Sequence, residues 1–437
     1  MHAPGMPMAH GAPPMMQGVP PPIAAMRRPD GAPQAVSIQQ PTLVSSFSYD
    51  ESKTLCFDDR SKRYYHAPPT QQNHGNGSGA AADLNYGFES FHEKVPAEAL
   101  EAELLRTNVI TWRGILTKLC TAWACHVQAP PMFREGFELN VMMLGDTLII
   151  EETPPDMHQL AALAQQSKPR KLQKATYYGY NFESFCTANT PDGPSAPNGW
   201  GGPVNTNEQW CHIVKTRLGD TRVMIGGEVD CVESPNHGAP ETVVELKTNM
   251  QPRNEQDQLK LQVKMLRMYM QSFLLGVQSI VVGFRDHKGT LLSHEQYRTT
   301  DLPRMVRGKP GQWNAHHNLS FGAQVLEWLR KEVGREMERW SFHVAQSLKQ
   351  NEAVRGPYPW RVHRTTQSFL GHLPLPSVED AEMDYPVYRV SFQPPFQQVT
   401  LRYVPPAELQ RDGRRAHRCG LVPSAFYRWA TSPMPTV

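Results

Sequence analysis

The sequence has no uninterrupted apolar run of the ~18 residues needed to cross a bilayer, so a transmembrane helix is excluded and no membrane partner is expected. Its first residues also lack an apolar core of signal-peptide length, because proline and glycine break them throughout. The 7 cysteines are odd in number and contain no C-x-x-C, which removes a disulfide framework and a zinc ribbon. Cys120, Cys125 and His126 lie close together without a fourth ligand at regular spacing, so buried free thiols are the simpler reading. That usage fits a reducing compartment. An excess of charge of one sign is missing too: 44 Lys and Arg oppose 42 Asp and Glu, a net charge of +2. The chain therefore does not announce a polyanion binder, and nucleic-acid contact must come from a local basic surface. Lys168, Arg170, Lys171 and Lys174, or Arg411, Arg414, Arg415 and Arg418, are candidates, with a solvated surface or a nuclear-import tract as the plainer alternative. Apolar residues, at 39%, are scarce for a wholly packed chain. The sequon at Asn318-Leu319-Ser320 carries no weight in an intracellular protein.

What is present is uneven. Proline, methionine, glycine and alanine crowd residues 1–38, where Asp30 is the single acid. Such a segment buries too little apolar surface to offset its ordering entropy and is expected to be a disordered leader. Residues 70–82 read as a second loose stretch, and one catalytic domain is expected from about 40 to 430. Within it, 96–123 has helical periodicity that the Thr/Val/Ile stretch can break, and FELNVMMLGDTLIIEE reads as two strands about a turn at Gly145-Asp146. TYYGYNFESFCTAN mixes aromatics with a glycine, and its second half can open a helix. TRVMIGGEVDCVE and ETVVELKT are strands. A helix from about Asn254 to Leu275 follows, with an apolar stripe of Leu259, Val263, Leu266, Met270, Phe273 and Leu274. SIVVGFRD is a short apolar strand, 320–350 is a helix, and YPVYRVSF is an alternating strand. Strands and helices intermix, so the fold class is α/β, or mixed α+β, with mixed sheets flanked by helices.

Chemistry concentrates in the two middle strands. Read as one strand over 222–232, Glu228 and Asp230 project from the same face, as do Glu245 and Lys247 over 242–248. If the turn at 233–240 pairs the strands, three carboxylates and an ammonium group converge. A hard divalent cation, Mg2+ or Mn2+, relieves the repulsion such a group would suffer. An aspartate followed at a distance by Glu-x-Lys is also the pattern of many metal-dependent nucleases. Asp230 and Glu245 would hold the ion with help from the Leu246 carbonyl, and Lys247 would orient water or balance charge on a phosphate. The alternative is a solvent-facing hairpin with an ordinary cross-strand ion pair. These residues alone leave both open.

The flanking blocks add a resemblance. TWRGILTKL (111–119), GYNFE (179–183), GGEVD (226–230), ELKT (245–248) and MQSFLLGVQSIVVGFRD (270–286) resemble, in order, the DXO family of eukaryotic RNA decapping and 5′-end quality-control hydrolases. LNYGFESFHEKVP (84–96) and the proline-rich leader look like its fungal branch, the nuclear partner of a 5′–3′ exoribonuclease. The resemblance implies a PD-(D/E)xK-nuclease-like core, nuclear location and a pair of divalent cations. It also implies that Glu183, Glu228, Asp230, Glu245 and the Leu246 carbonyl bind metal, and that Arg113, Lys247 and Gln271 contact substrate. On the residues alone, Arg113 equally suits a structural ion pair, and Glu183 an exposed position beside a core strand. The implied activity is hydrolysis at RNA 5′ ends: removal of incomplete or nicotinamide-dinucleotide caps, release of pyrophosphate from triphosphate ends, and 5′–3′ exonuclease action. Two alternatives stand beside it. One is a binding protein that mainly stabilises the exoribonuclease, and the other a DNA repair or restriction-type nuclease.

Overall fold

The computed structural model describes residues 36–70, 81–84, 107–127, 135–153, 170–192, 204–233, 241–352, 385–411 and 418–431. Residues 1–35 of the leader, 71–80 of the second loose stretch, 85–106 and the turn at 234–240 lie outside them.

In chain order the first strands are β1 (Thr42–Tyr49), β2 (Leu55–Cys56), β3 (Tyr64–Tyr65) and β4 (Val109–Trp112), which runs directly into helix α1 (Arg113–Val127). Next come β5 (Phe137–Leu144), β6 (Thr147–Glu152), helix α2 (Arg170–Cys186) and β7 (Thr187–Ala188). The central strands are β8 (Gln209–Leu218), β9 (Thr221–Glu228), β10 (Cys231–Glu233) and β11 (Thr242–Met250), followed by helix α3 (Glu255–Leu275). Then follow β12 (Ser279–Arg285), β13 (Leu291–Arg298), helix α4 (Ala315–Glu352), β14 (Val387–Phe392) and β15 (Thr400–Val404).

These elements form two compact units. One holds the described residues of 28–136 and 155–327. Its strands run in the order β4-β9-β8-β1-β2 and, in a second sheet, β13-β12-β11-β10-β3-β7. β11 and β12 are parallel, with Glu245 opposite Ile280 and Met250 opposite Arg285. Parallel neighbours need a crossover, and α3 supplies it. Asn254 caps α3 by accepting the Asp257 N–H at 2.9 Å, and Gly276, at φ 79, ends it with its N–H turned back to Phe273. The buried face of α3 carries Leu261, Met265, Leu266, Tyr269 and Leu274, while the expected Leu259, Val263 and Phe273 are only half-buried. The expected stripe therefore sits rotated towards residues that also meet the 302–314 segment, where Trp313 donates to the Gln262 carbonyl at 2.8 Å.

The other unit holds the described residues of 137–154 and 328–437, with strands in the order β15-β14-β5-β6. β5 and β6 form the expected hairpin, and Gly145 takes the positive φ of 57 that its turn requires. YPVYRVSF, expected to alternate, is instead buried at consecutive residues in β14, which lies between β5 and β15 in its sheet. Its buried Arg389 is satisfied by Asn140 at 3.0 Å and Glu408 at 2.8 Å.

The break allowed at the Thr/Val/Ile stretch is realised: residues 109–112 are strand before the helix begins, since Val109, Ile110 and Thr111 are buried in parallel pairing with β9. One local expectation needs correction. TYYGYNFE lies wholly inside α2, so Glu183 is helical. Tyr177, Tyr178 and Phe182 pack from α2 onto Val244, Leu246 and Val281, at helical spacing that an aromatic-rich stretch disguises. The sequon Asn318 is fully buried within α4.

Phe182 needs the missing side chain of Gly283, where an added Cβ would sit 2.4 Å from its ring. Gly283→Ala is therefore expected to lose about 1–3 kcal/mol in urea unfolding by overpacking. An unchanged midpoint would show that α2 can shift freely.

Candidate active site

The centre begins with a change of sheet. Glu228 ends β9, paired with Cys211 of β8, and the Val229 N–H extends that ladder by donating to the Trp210 carbonyl at 2.8 Å. At Cys231 the chain pairs instead with Val244 of β11. The expected continuous strand over 222–232 is thus two strands in two sheets. Its apolar alternation survives the switch, because Val229 and Cys231 are both buried. Glu228 reaches the centre from the end of β9 and Asp230 from the link between the two sheets, rather than from one strand face.

β11 contributes Glu245, whose side chain is 1% exposed. Val229, Val244 and Leu246 behind it are buried as well, so the solvent-facing hairpin is ruled out. A carboxylate at that depth requires partners. Arg113 Nη1 lies 2.6 Å from Glu245 Oε2, and Lys247 Nζ lies 2.6 Å from Oε1. Lys247 Nζ also donates to the Leu246 carbonyl at 3.1 Å, and the Leu246 N–H donates to Asp230 Oδ2 at 2.6 Å. Arg113 opens α1 and approaches because Gly227 has no side chain. A Cβ there would lie 3.0 Å from the Arg113 Cβ and from both Leu275 methyls. Gln271 lies one turn before Leu275 on the same face of α3 and is half-buried.

The proton affinities follow from charge crowding. Burial, then repulsion from Asp230 and Glu228, drives Glu183 well above the usual carboxylate range. Burial also raises Glu228, with Arg113 opposing it, and pushes Asp230 up to about 7, helped by Glu245. Burial works against ionising Glu245 too, but Arg113 and Lys247 outweigh it and hold Glu245 at about 2. The cations respond in kind: burial disfavours their charge, yet Glu245 keeps Arg113 and Lys247 protonated. Four carboxylates thus meet Arg113, Lys247 and, at the Glu228 side, Lys53, so full ionisation leaves a surplus of one negative charge.

The structure accordingly brings Glu183, Glu228, Asp230, Glu245, Lys247 and Arg113 into mutual electrostatic reach. Among the described residues, however, no three acidic, histidine or cysteine side chains stand as a ready metal-ligand group. The reason is visible: both Glu245 oxygens face cations, and an Asp230 oxygen faces an amide. The donors nevertheless fit a hard divalent ion, being all oxygen and carrying the charge it would neutralise.

Two residues of the centre have no sequence signal. Gln209 Nε2 donates to Glu228 Oε2 at 3.0 Å, and its Oε1 accepts from Lys53. Lys53 sits in the turn between β1 and β2 at φ 63, its ammonium 4.7 Å from the Tyr49 ring centroid. Their separation in the chain hides the link. A positive φ in a non-glycine residue is visible only in a structure. Of the basic tracts, Arg418 pairs with Glu151 at 3.1 Å, Arg170 and Lys174 lie on α2, and the side chains of Lys168, Lys171, Arg411, Arg414 and Arg415 lie outside the described residues. The six described cysteines are free, and the Cys125 and His126 side chains lie outside the described residues.

The family model described as RAI1-like PD-(D/E)XK nuclease matches residues 39–372. Decapping nuclease RAI1 of Mycosarcoma maydis is 35% identical over 93% of this chain and 92% of its own length. The decapping and exoribonuclease protein of Xenopus laevis is 31% identical over 68% of this chain and 77% of its own. Among solved structures, Scheffersomyces stipitis Rai1 in complex with (3′-NADP)+ and calcium ion superposes with a TM-score of 0.64 at 22% identity, over 91% of this chain and 98% of that one. Candida albicans Rai1 in complex with pU5-Mn2+ gives 0.63 at 19% identity, over 91% and 96%. These two likenesses concern the fold.

A pH dependence follows. Asp230 binds its proton more tightly folded, at about 7, than unfolded, at about 3.9, so its contribution to stability is complete in acid and is lost as pH rises between those values. Glu245 acts oppositely: its contribution is present above its unfolded value of about 4.3 and is lost as pH falls towards about 2. In chelator-treated protein, the drop in melting temperature between about pH 5 and about pH 8 should be smaller for Asp230→Asn than for wild type. Equal drops would contradict the crowding.

Proposed function

The chain belongs to the RAI1-like PD-(D/E)XK nuclease family, and from that premise we propose that its carboxylate centre hydrolyses RNA 5′ ends with the help of divalent cations. The observation carrying this reading is the buried Glu245 held between Arg113 and Lys247 beside three further carboxylates. Surplus negative charge suits a cation. The two basic groups at its edge suit a phosphate.

Glu183, Glu228, Asp230, Glu245 and the Leu246 carbonyl would hold Mg2+ or Mn2+, as a pair. When bound, such ions acidify water and offset charge on the leaving oxygen. Everything else falls to the chain's own residues. Lys247 is kept cationic by Glu245 and stands where it can balance charge developing on a phosphate. Arg113 offers its remaining guanidinium donors to a non-bridging oxygen, and Gln271 orients the substrate from α3. Gln209 fixes the Glu228 carboxylate. We assign residues 40–430 to a single catalytic region.

The substrates we infer are incomplete or nicotinamide-dinucleotide caps and 5′-triphosphate ends, with 5′–3′ exonuclease activity in addition. The names of the Mycosarcoma and Xenopus relatives support this, as decapping nuclease and as decapping and exoribonuclease protein. From the resemblance to the fungal branch we further infer nuclear location and a nuclear 5′–3′ exoribonuclease partner.

Matched RNAs carrying each 5′ end, incubated with Mn2+ or Mg2+, test the proposal by the product released. Glu228→Gln with Asp230→Asn should lower the rate by at least about 100-fold and still stabilise the exoribonuclease on heating. Wild type that releases nothing from any of these ends would leave only the binding role.

A further inference from the structure

One side chain reaches the centre at a cost to its own backbone. Lys53, in the turn between β1 and β2, holds a φ of 63. A non-glycine residue seldom adopts that left-handed conformation, because its Cβ crowds the following carbonyl. Asp50 fastens the turn. Its carbonyl accepts the Lys53 N–H at 2.9 Å, and its Oδ1 accepts the amides of Ser52 at 2.8 Å and Thr54 at 2.9 Å. Asn207 ties the turn to the residues before β8 by donating to the Glu51 carbonyl at 2.7 Å. Glycine or asparagine would close the same turn with less strain. Strain of this kind persists where the side chain it presents is used.

The Lys53 ammonium group stands 4.7 Å from the Tyr49 ring centroid and donates to Gln209 Oε1. Gln209 Nε2 in turn donates to Glu228 Oε2 at 3.0 Å. Tyr49 is opposite Gln209 across β1 and β8, and Cys211 is opposite Glu228 across β8 and β9. The links therefore follow one face across three strands. Among the described residues, no other side chain hydrogen-bonds the Glu228 carboxylate, and Lys53 has no ion pair.

The polarity of this chain of donors is set at its far end. A carboxamide has an oxygen that accepts and a nitrogen that donates, and either can turn to a neighbour. An ammonium group only donates. Lys53 therefore takes the Gln209 oxygen, and the nitrogen must face Glu228. The terminal torsion of a glutamate is broad, so a carboxylate lacking such a donor has to be ordered when a cation arrives. A donor fixed in advance avoids that loss.

We propose that Lys53 and Gln209 are positioning residues, a donor relay that presets the Glu228 carboxylate for a divalent cation. Gln209 acts on Glu228, and Lys53 acts only through Gln209. This rests on the metal-dependent reading of the centre. The relay raises the affinity of the centre for the ion, as hydrogen-bonded partners of metal ligands do.

Calorimetric titration of Mn2+ into the chelator-treated full chain tests it, with Gln209→Leu, Lys53→Met, Lys53→Arg and the double variant Lys53→Met, Gln209→Leu. Leucine removes the amide of Gln209, and methionine keeps the stem over Tyr49 without the charge. Gln209→Leu should raise the Mn2+ Kd about tenfold or more. Lys53→Met should raise it by less, and Lys53→Arg should restore the wild-type value. The double variant should bind as Gln209→Leu does, because residues that act through one contact are not additive. Melting in chelator checks each fold, and Gln209→Met replaces Gln209→Leu should the latter melt below wild type. In RNA hydrolysis the KM for Mn2+ should rise in step with the Kd, by a larger factor than kcat falls. An unchanged Kd in Gln209→Leu would overturn the relay, and a raised KM for RNA beside it would place the pair on the substrate instead. Losses that multiply in the double variant would overturn it as well, since Lys53 would then act on its own. Wild type that binds no Mn2+ overturns the metal reading itself, and the relay with it.

Discussion

Burial of the Glu245 carboxylate is the constraint on which the rest of the centre depends. An ionised group at that depth is tolerable only with cations in contact, and Arg113 and Lys247 supply them at 2.6 Å each. Arg113 can arrive because α1 starts at the edge of β4 and Gly227 leaves room beneath it. Lys247 arrives from two residues along the same strand. The pair of ion contacts therefore ties α1 to β11 at one point, with Gly227 of β9 packed beside it.

Around that point the remaining carboxylates have no ion pair at contact distance among the described residues. Glu183 comes from the end of α2, Glu228 from the end of β9, and Asp230 from the residue before β10, so with Glu245 of β11 four stretches of the chain deliver acid to one place. Nothing in folding alone favours this, since each added carboxylate raises the proton affinity of the others. Such an arrangement costs stability and is retained where chemistry needs it. Membership of a nuclease family supplies the chemistry, and the oxygen-only donor set supplies the reason a hard cation would relieve the strain.

Much of this is legible in the sequence. The turn at Gly145, the span of α3 and the Glu-x-Lys strand each follow from local rules that the structure obeys. What escaped was non-local. Alternation of buried residues runs unbroken through Val229 and Cys231, so no pattern marks the passage from one sheet to the next. The helical setting of Glu183 was masked by the tyrosines and phenylalanines of α2, whose β-propensity competes with their spacing. Gln209 and Lys53 carry no motif, and their link to Glu228 exists only because β8 is paired with β9 on one side and β1 on the other.

The most direct measurement is calorimetric titration of Mn2+ into the chelator-treated protein near neutral pH, in two buffers of different ionisation enthalpy. If protonated carboxylates are displaced by a divalent ion, binding releases protons, and the apparent enthalpy differs between the buffers in proportion to the number released. The release should shrink as pH is raised above the range in which Asp230 ionises. Binding with no buffer dependence, or no binding to the wild-type protein, would contradict a crowded carboxylate centre built for a metal ion.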